Sequence, residues 1–154
     1  MIRVWRVTDE KYGARAFDGE GARRYGGRWN HKGSTVVYTS DSLALATLEQ
    51  LVHVSAGLHL PSRVAIAVDI PDEIAQVEIS AAELPEDWRR TDGVKALRDR
   101  GTRWVLSARS AVLCVPSVVI PRERNYVLNP GHPDFEKLRI QDPEPFEFDP
   151  RLLS

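Results

Sequence analysis

The sequence has little of what would indicate disulfides or a metal site. It contains a single cysteine, so no disulfide can form within the chain. That residue, Cys114, lies in the apolar run AVLCVP, where we expect a buried thiol that packs as a small hydrophobe. The four histidines are scattered without the spacing of metal ligands. We therefore expect no zinc site and no other bound metal.

Long apolar runs and an excess charge of one sign are also missing. Charges interrupt the N-terminal sequence MIRVWRVTDEKYG where a signal peptide would be apolar, and no window approaches the roughly 20 apolar residues of a membrane span. We therefore expect a cytoplasmic protein without a membrane partner. The 21 basic and 22 acidic residues nearly cancel, which predicts no direct nucleic-acid partner and requires any anionic ligand to be held locally.

What the chain does contain is enough apolar residues for one core. Its 154 residues are 42% hydrophobic, which fits a single domain over residues 1–154. Alternating or β-branched segments predict strands at IRVWRV, TVVYTS, SRVAIAVDIP, QVEIS, SAVLCVPSVVIP and NYVLNP, the fifth being central and interrupted at Pro116 and Ser117. The last two strands are predicted to form a hairpin, and the tail 132–153 to add one edge strand.

Two helices are predicted between these strands. The clearer one follows a cap at Asp41 or Ser42, runs through LALATLEQLVHVSAG and stops at Gly57. A second, GVKALRDRGTRWVLS, would be capped by Asp92. Residues 8–34 are rich in glycine and read as a long loop, which we expect to be functional because it also carries four aromatic residues. The predicted class is α+β, with strands outnumbering helices.

Three places depart from a plain core pattern. Gly26 and Gly27 permit a turn that could present Arg28 to a phosphate, although an ordinary solvated arginine is the alternative. Glu49 lies at the edge of the apolar face of the first predicted helix and is either a functional carboxylate or an exposed one. Ser117 interrupts a sheet-forming run, where a bulge is favoured over a hydroxyl directed at a ligand.

The order of several motifs adds to this interpretation. GGRWN, VYTS, ALATLEQLVH, VPSVVIP and NYVLNPGHPDF together resemble the RES-domain toxins of bacterial toxin–antitoxin pairs, over nearly the whole chain. The arginine, glutamate and serine that name this family match Arg28, Glu49 and Ser117, and its active-site tyrosine matches Tyr38. Asn129 and His132 lie in the last motif and receive no role.

The resemblance implies an ADP-ribosyltransferase-like fold, a mixed or antiparallel β core with flanking helices. It also implies NAD as a substrate, consumed by hydrolysis, by phosphorolysis or by ADP-ribosylation of a protein, and a Xre-type antitoxin as partner. A homodimer is left open. An alternative of another class is a non-catalytic partner or co-repressor of such an antitoxin.

The same resemblance gives roles to the four matched residues. Glu49 would support the oxocarbenium-like centre formed when nicotinamide leaves the ribose. Arg28 would bind the pyrophosphate or the adjoining ribose, and Tyr38 would pack against nicotinamide. Ser117 would form a hydrogen bond near the ribose or the amide.

Overall fold

A computed structural model describes residues 1–53 and 62–153 of the chain. The strands are β1 (Ile2–Asp9), β2 (Val37–Ser40), β3 (Arg63–Ile70), β4 (Gln76–Glu78), β5 (Val112–Pro116), β6 (Arg124–Leu128), β7 (Arg139–Ile140) and β8 (Glu144–Phe146). The helices are α1 (Glu20–Tyr25), α2 (Leu43–Leu51) and α3 (Lys95–Ser107), and short 3-10 helices cover Glu10–Arg15, Ala81–Glu83, Pro133–Lys137 and Pro150–Leu153.

The strands form one mixed sheet. Its order is β4-β5-β6-β2-β1-β3-β7, and β8 also pairs with β3. Among the described strands the β4–β5 pair is parallel and the other pairs are antiparallel. Helix α2 packs on β1 and β2. The predicted α+β class, with a mixed β core and flanking helices, is confirmed.

The hairpin of β5 and β6 is buried on both faces. Alternate residues of these strands contribute to two separate core clusters, so that Val112 and Cys114 pack in one and Leu113 and Val115 in the other. This double burial explains why the segment reads as a continuous apolar run. Cys114 is buried, as expected. As predicted, β5 is an interior strand, since it pairs with β4 on one side and with β6 on the other, while β2 lies at the middle of the described sheet.

Residues 8–34 are not the continuous loop that we expected. Strand β1 extends to Asp9, and the 3-10 helix Glu10–Arg15 and helix α1 follow it. Helix α1 has six residues, none of them buried, and follows Gly19 in a left-handed conformation with φ of 75°. A helix of less than two turns without an apolar stripe leaves no periodic signal in the sequence, which is why the prediction was wrong.

The helix boundaries confirm one expectation and correct others. Of the two predicted caps, Asp41 and Ser42, Ser42 caps α2, because its side chain accepts a hydrogen bond of 3.0 Å from the backbone N–H of Leu45. Helix α2 ends at Leu51 with its C-cap at Val52, earlier than predicted, and the predicted stop at Gly57 itself lies outside the described residues. Helix α3 follows Val94 without a side-chain cap, so the predicted cap at Asp92 was wrong. The Asp92 carboxylate instead accepts two hydrogen bonds from the guanidinium of Arg90.

Two strand predictions also change. Strand β5 ends at Pro116 without a bulge, and Ser117 begins the turn that leads to β6. The tail carries two short strands, β7 and β8, and both pair with β3. Within residues 1–53 and 62–153, no helix has both the length and the apolar character needed to cross a bilayer.

Candidate active site

A cavity of about 1430 Å³ lies where β1 and β2 stop pairing. These neighbouring strands are in register at one residue pair, Trp5 and Ser40, and residues of both strands beyond it line the cavity. Helix α2 and the turn after β5 contribute the rest of the wall near Glu49. Three of the four predicted site residues, Arg28, Tyr38 and Glu49, line this one cavity.

Glu49 is half-buried on α2 and is held through one oxygen. Its Oε1 accepts hydrogen bonds from the Ser117 hydroxyl at 2.7 Å and from the Asn125 side-chain amide at 2.8 Å. The carboxylate is therefore not the freely exposed helix residue that was the alternative interpretation. Two donors on the same oxygen fix its position relative to β5 and β6, while the side chain still borders the cavity.

Ser117 lies behind Glu49 and has no exposed surface. Its Oγ accepts hydrogen bonds from the backbone N–H groups of Val119 and Ile120, at 3.1 and 3.0 Å. With both lone pairs used, the hydroxyl hydrogen is directed to Glu49. The structure thus brings Ser117 to the site, where it contacts the carboxylate and does not line the cavity.

Arg28 lies at the tip of a tight turn. Gly26 has φ of 71°, a left-handed conformation that favours glycine, and Gly27 and Asn30 form a β-bridge that closes the turn. Helix α3 supports the turn from below, since Thr102 Oγ1 accepts a hydrogen bond of 3.0 Å from the backbone N–H of His31.

The guanidinium of Arg28 uses few of its N–H donors within residues 1–53 and 62–153. Its Nη1 donates to the backbone carbonyl of Arg90 at 2.8 Å, and no residue of the described ranges forms an ion pair with it. Burial lowers the pKa of Arg28, and attraction to Glu49 opposes that shift. A half-buried arginine with unused donors beside a cavity is suited to bind an anionic group.

The Tyr38 hydroxyl belongs to the same turn. It donates to Asn30 Oδ1 at 2.6 Å and accepts from the backbone N–H of Trp29 at 3.0 Å. Burial raises the pKa of this hydroxyl, so it remains a neutral phenol at physiological pH. Tyr38 therefore links strand β2 to the turn that carries Arg28, and its half-buried side chain borders the cavity.

Close approach at Gly27 makes this link testable. A Cβ at Gly27 would lie 2.6 Å from the Tyr38 hydroxyl oxygen and 2.8 Å from Asn30 Oδ1. We expect Gly27→Ala to lower the free energy of unfolding by about 1–3 kcal/mol, because the hydrogen-bonded turn must shift. Chemical denaturation measures the change.

Gly21→Ala is the matched control. A Cβ at Gly21 meets nothing within 4 Å, and this residue lies in helix α1. We expect it to leave stability unchanged or to raise it by up to about 1 kcal/mol. Equal stability of the two variants would contradict the crowding at Gly27.

Arg6 also lines the cavity, although no sequence motif assigned it a role. Its Nη1 donates to the backbone carbonyl of Tyr38 at 3.1 Å, across the gap between β1 and β2. Its Nε is buried without a hydrogen-bond partner, and it has no ion-pair partner in the part of the chain that the structure describes. Burial lowers the pKa of Arg6, and attraction to Asp18 opposes that shift. The signal was available, since alternation places Arg6 on the same face of β1 as the buried Val4.

The cavity is positively charged although the chain is not. Seven basic and four acidic side chains of the described residues line it, whereas the whole chain has a net charge of −1. The near-zero total therefore conceals a local excess of positive charge, which favours anionic ligands. The basic residues are Arg6, Arg15, Arg24, Arg28, Lys32, Arg89 and Arg98.

Other chemistry-bearing residues lie elsewhere. The Asn129 side chain accepts a hydrogen bond from the backbone N–H of Gly131, and His132 Nδ1 accepts one from Asp134, both at 3.0 Å. These bonds stabilise the turn after β6, and neither residue lines the cavity. Across residues 1–53 and 62–153, no group of three or more His, Cys, Asp or Glu side chains could hold a metal ion.

Comparison with known proteins identifies the family of this chain. The family model described as the RES domain matches residues 3–149. The "Prs ADP-ribosylating toxin" of Sphingobium sp. (strain YBL2) is 37% identical over 153 residues, which cover 97% of this chain and 95% of that protein. A protein named "Toxin Res" from Yersinia enterocolitica is also 37% identical, over 98% of this chain and 99% of its own.

A solved structure shares the fold. The crystal structure of the Mycobacterium tuberculosis (M. tuberculosis) MbcT–MbcA toxin–antitoxin complex contains a chain that superposes with a TM-score of 0.73. The match covers 94% of the present chain and 84% of the other, at 19% sequence identity. At that identity the likeness concerns the fold.

Proposed function

The chain belongs to the RES-domain family of toxins from toxin–antitoxin systems, and from this premise we propose that it breaks the nicotinamide–ribose bond of NAD. One observation carries the proposal: a carboxylate, Glu49, is fixed through a single oxygen in the wall of a cationic cavity. NAD joins a diphosphate, which needs cations, to a ribose whose C1′ becomes positively charged when nicotinamide leaves. The cavity offers arginines for the diphosphate and a carboxylate for the ribose.

The bond between ribose C1′ and the nicotinamide nitrogen breaks, and its electron pair leaves with nicotinamide. The Glu49 carboxylate stabilises the positive charge that develops on the ribose. Arg28 and Arg6 bind the diphosphate through charge-assisted hydrogen bonds. Tyr38 packs against the nicotinamide ring, and its hydroxyl stays with Asn30 and Trp29.

The reaction is completed by an acceptor hydroxyl. An oxygen of the acceptor forms a bond to C1′ and releases its proton to solvent. With water or phosphate as the acceptor, the reaction depletes NAD. With a protein as the acceptor, it is ADP-ribosylation, a second candidate that the name of the Sphingobium relative favours.

Product analysis tests the proposal. The purified protein is incubated with NAD alone, with inorganic phosphate, and with cell lysate, and the products are identified by mass spectrometry. Free nicotinamide is expected together with ADP-ribose, phosphorylated ADP-ribose or modified protein, according to the acceptor. If NAD stays intact in all three incubations, the proposed reaction is wrong.

Arg28→Lys tests the binding of the diphosphate. We expect kcat/KM for NAD to fall by about tenfold to a hundredfold, because a lysine keeps the charge but loses the planar pair of donors. Steady-state kinetics of nicotinamide release measure the fall. Arg109→Lys is the control, since Arg109 is exposed and does not line the cavity. An equal effect of the two substitutions would contradict the role of Arg28.

The partner is a further part of the proposal. We propose a Xre-type antitoxin, which the similarity to the toxin of a toxin–antitoxin complex supports. Co-expression of this chain with a candidate Xre-type antitoxin, followed by co-purification, tests the pairing, and failure of the two to co-purify would count against it. Light scattering of the purified chain alone decides between a monomer and a homodimer.

A further inference from the structure

We infer that Ser117, Asn125 and Ser40 are positioning residues: Ser117 and Asn125 hold Oε1 of Glu49, Ser40 orients Asn125, and Oε2 is left as the oxygen that acts on the substrate. The inference rests on the proposed function. It assigns a role to Ser40, which lies in the motif VYTS, and to Asn125, which begins the motif NYVLNPGHPDF, although neither residue was assigned a function from the sequence.

The contacts of Asn125 with Glu49 and Ser40 fix the orientation of its side-chain amide. A carboxylate can only accept, so the group of Asn125 that faces Glu49 must be the Nδ2 donor. The Asn125 Oδ1 then faces Ser40, whose hydroxyl donates to it at 2.8 Å. Ser40 is buried and lies directly opposite Asn125 in the pairing of β2 with β6. The proton directions of the whole chain of bonds are therefore fixed.

The two oxygens of the Glu49 carboxylate differ in their contacts. Ser117 and Asn125 both donate to Oε1. Oε2 has no hydrogen-bond partner within residues 1–53 and 62–153, and Glu49 lines the cavity. The carboxylate is thus anchored on one oxygen and available on the other. Such an arrangement presents a fixed negative charge without reorganisation during the reaction.

The residues that position Glu49 lie on separate elements of the fold. Ser40 lies on β2, Asn125 on β6, Ser117 in the turn after β5, and Glu49 on α2. The sheet therefore holds the carboxylate from two paired strands and one turn. Loss of an anchor should leave the substrate-binding residues in place and lower the rate of the chemical step.

Kinetics of variants test the inference. We expect Asn125→Ala to lower kcat for nicotinamide release by about tenfold to a hundredfold while KM changes by less than about threefold. Ser40→Ala, which frees the amide to rotate, should lower kcat by about threefold to tenfold. Retention of the wild-type kcat by Asn125→Ala, or a rise in KM alone, would overturn the positioning role.

Asn125→Asp adds a readout that a purely structural role would not move. The introduced carboxyl group can donate to Glu49 only when protonated and repels it when ionised. The activity of this variant relative to wild type should therefore rise as the pH is lowered. A pH profile parallel to that of the wild type would count against the inference. This variant also keeps the test open if Asn125→Ala does not fold.

Ser110→Ala is the matched control for Ser40→Ala. Ser110 is another buried serine whose hydroxyl forms two hydrogen bonds, with the Trp104 side chain and the Val112 carbonyl, outside the cavity wall. It should lower the thermal unfolding midpoint and leave kcat unchanged. If it lowers kcat as much as Ser40→Ala does, the effect of Ser40 is one of stability and the inference fails.

A double-mutant cycle on the unfolding midpoint separates this inference from the proposed function. If the wild-type protein releases no nicotinamide, the proposed function fails, and the cycle alone then decides whether Asn125 anchors Glu49. Unfolding midpoints are measured for Asn125→Ala, Glu49→Ala and the double variant. If Asn125 anchors Glu49, Asn125→Ala should shift the unfolding midpoint by different amounts in the wild-type protein and in the Glu49→Ala variant. Equal shifts in both proteins would overturn the inference.

Discussion

Glu49→Gln should abolish the release of nicotinamide from NAD without unfolding the protein. The substitution keeps the size of the side chain, and its amide oxygen can still accept from Ser117 and Asn125. What it removes is the negative charge opposite the developing ribosyl cation. Loss of a preorganised electrostatic partner typically costs about 10²–10³ in kcat, and a full charge should be at the upper end.

Single-turnover kinetics and circular dichroism of the same preparation check this expectation. Glu86→Gln provides the control, because Glu86 is exposed and does not line the cavity. We expect the control to retain wild-type activity and both variants to retain the wild-type spectrum. Should Glu49→Gln keep more than about a tenth of the wild-type kcat, the carboxylate charge is not what lowers the barrier.

Arg6→Met should weaken NAD binding strongly while it leaves the unliganded protein as stable as before, or more stable. A desolvated guanidinium without an ion-pair partner costs free energy in the unliganded protein, and methionine fills the space without that cost. Each lost charge-assisted hydrogen bond to the diphosphate should raise the dissociation constant of NAD by about tenfold to a hundredfold. Weaker NAD binding without a loss of stability would indicate that Arg6 serves ligand binding and does not stabilise the fold.

Thermal unfolding with and without NAD, in the inactive Glu49→Gln background, measures both effects at once. Arg3→Met is the control on the same strand. Arg3 is exposed and bonded twice to Asp69, at 2.8 and 2.9 Å, so its replacement should lower stability only slightly and leave NAD binding unchanged. A destabilised Arg6→Met that still binds NAD normally would reduce Arg6 to a structural residue.

Local signals in the sequence were enough to predict several parts of the fold. The β-branched and apolar runs gave the β5–β6 hairpin, and the Ser42 cap together with the apolar stripe gave the start of α2. Two adjacent glycines marked the turn that carries Arg28. Each of these features depends on residues within a few positions of one another, which is the range over which propensity and periodicity act.

The partners of the site residues could not be predicted in this way. Asn125 reaches Glu49 across 76 positions of the chain, and Arg6 reaches the carbonyl of Tyr38 across 32. These contacts depend on which strands become neighbours and in which register, and no local pattern contains that information. The family resemblance identified Ser117 as important, but only the fold places it behind Glu49.

The anchoring of Glu49 also has a consequence for the order of biosynthesis. Translation proceeds from the N-terminus, so Arg28, Tyr38 and Glu49 leave the ribosome before the two residues that donate hydrogen bonds to the carboxylate. Ser117 and Asn125 come from the last third of the chain, and β6 must pair with β2 before Asn125 can reach Glu49. Assembly of the anchored carboxylate is therefore a late event, and a nascent chain that stops before β6 lacks it.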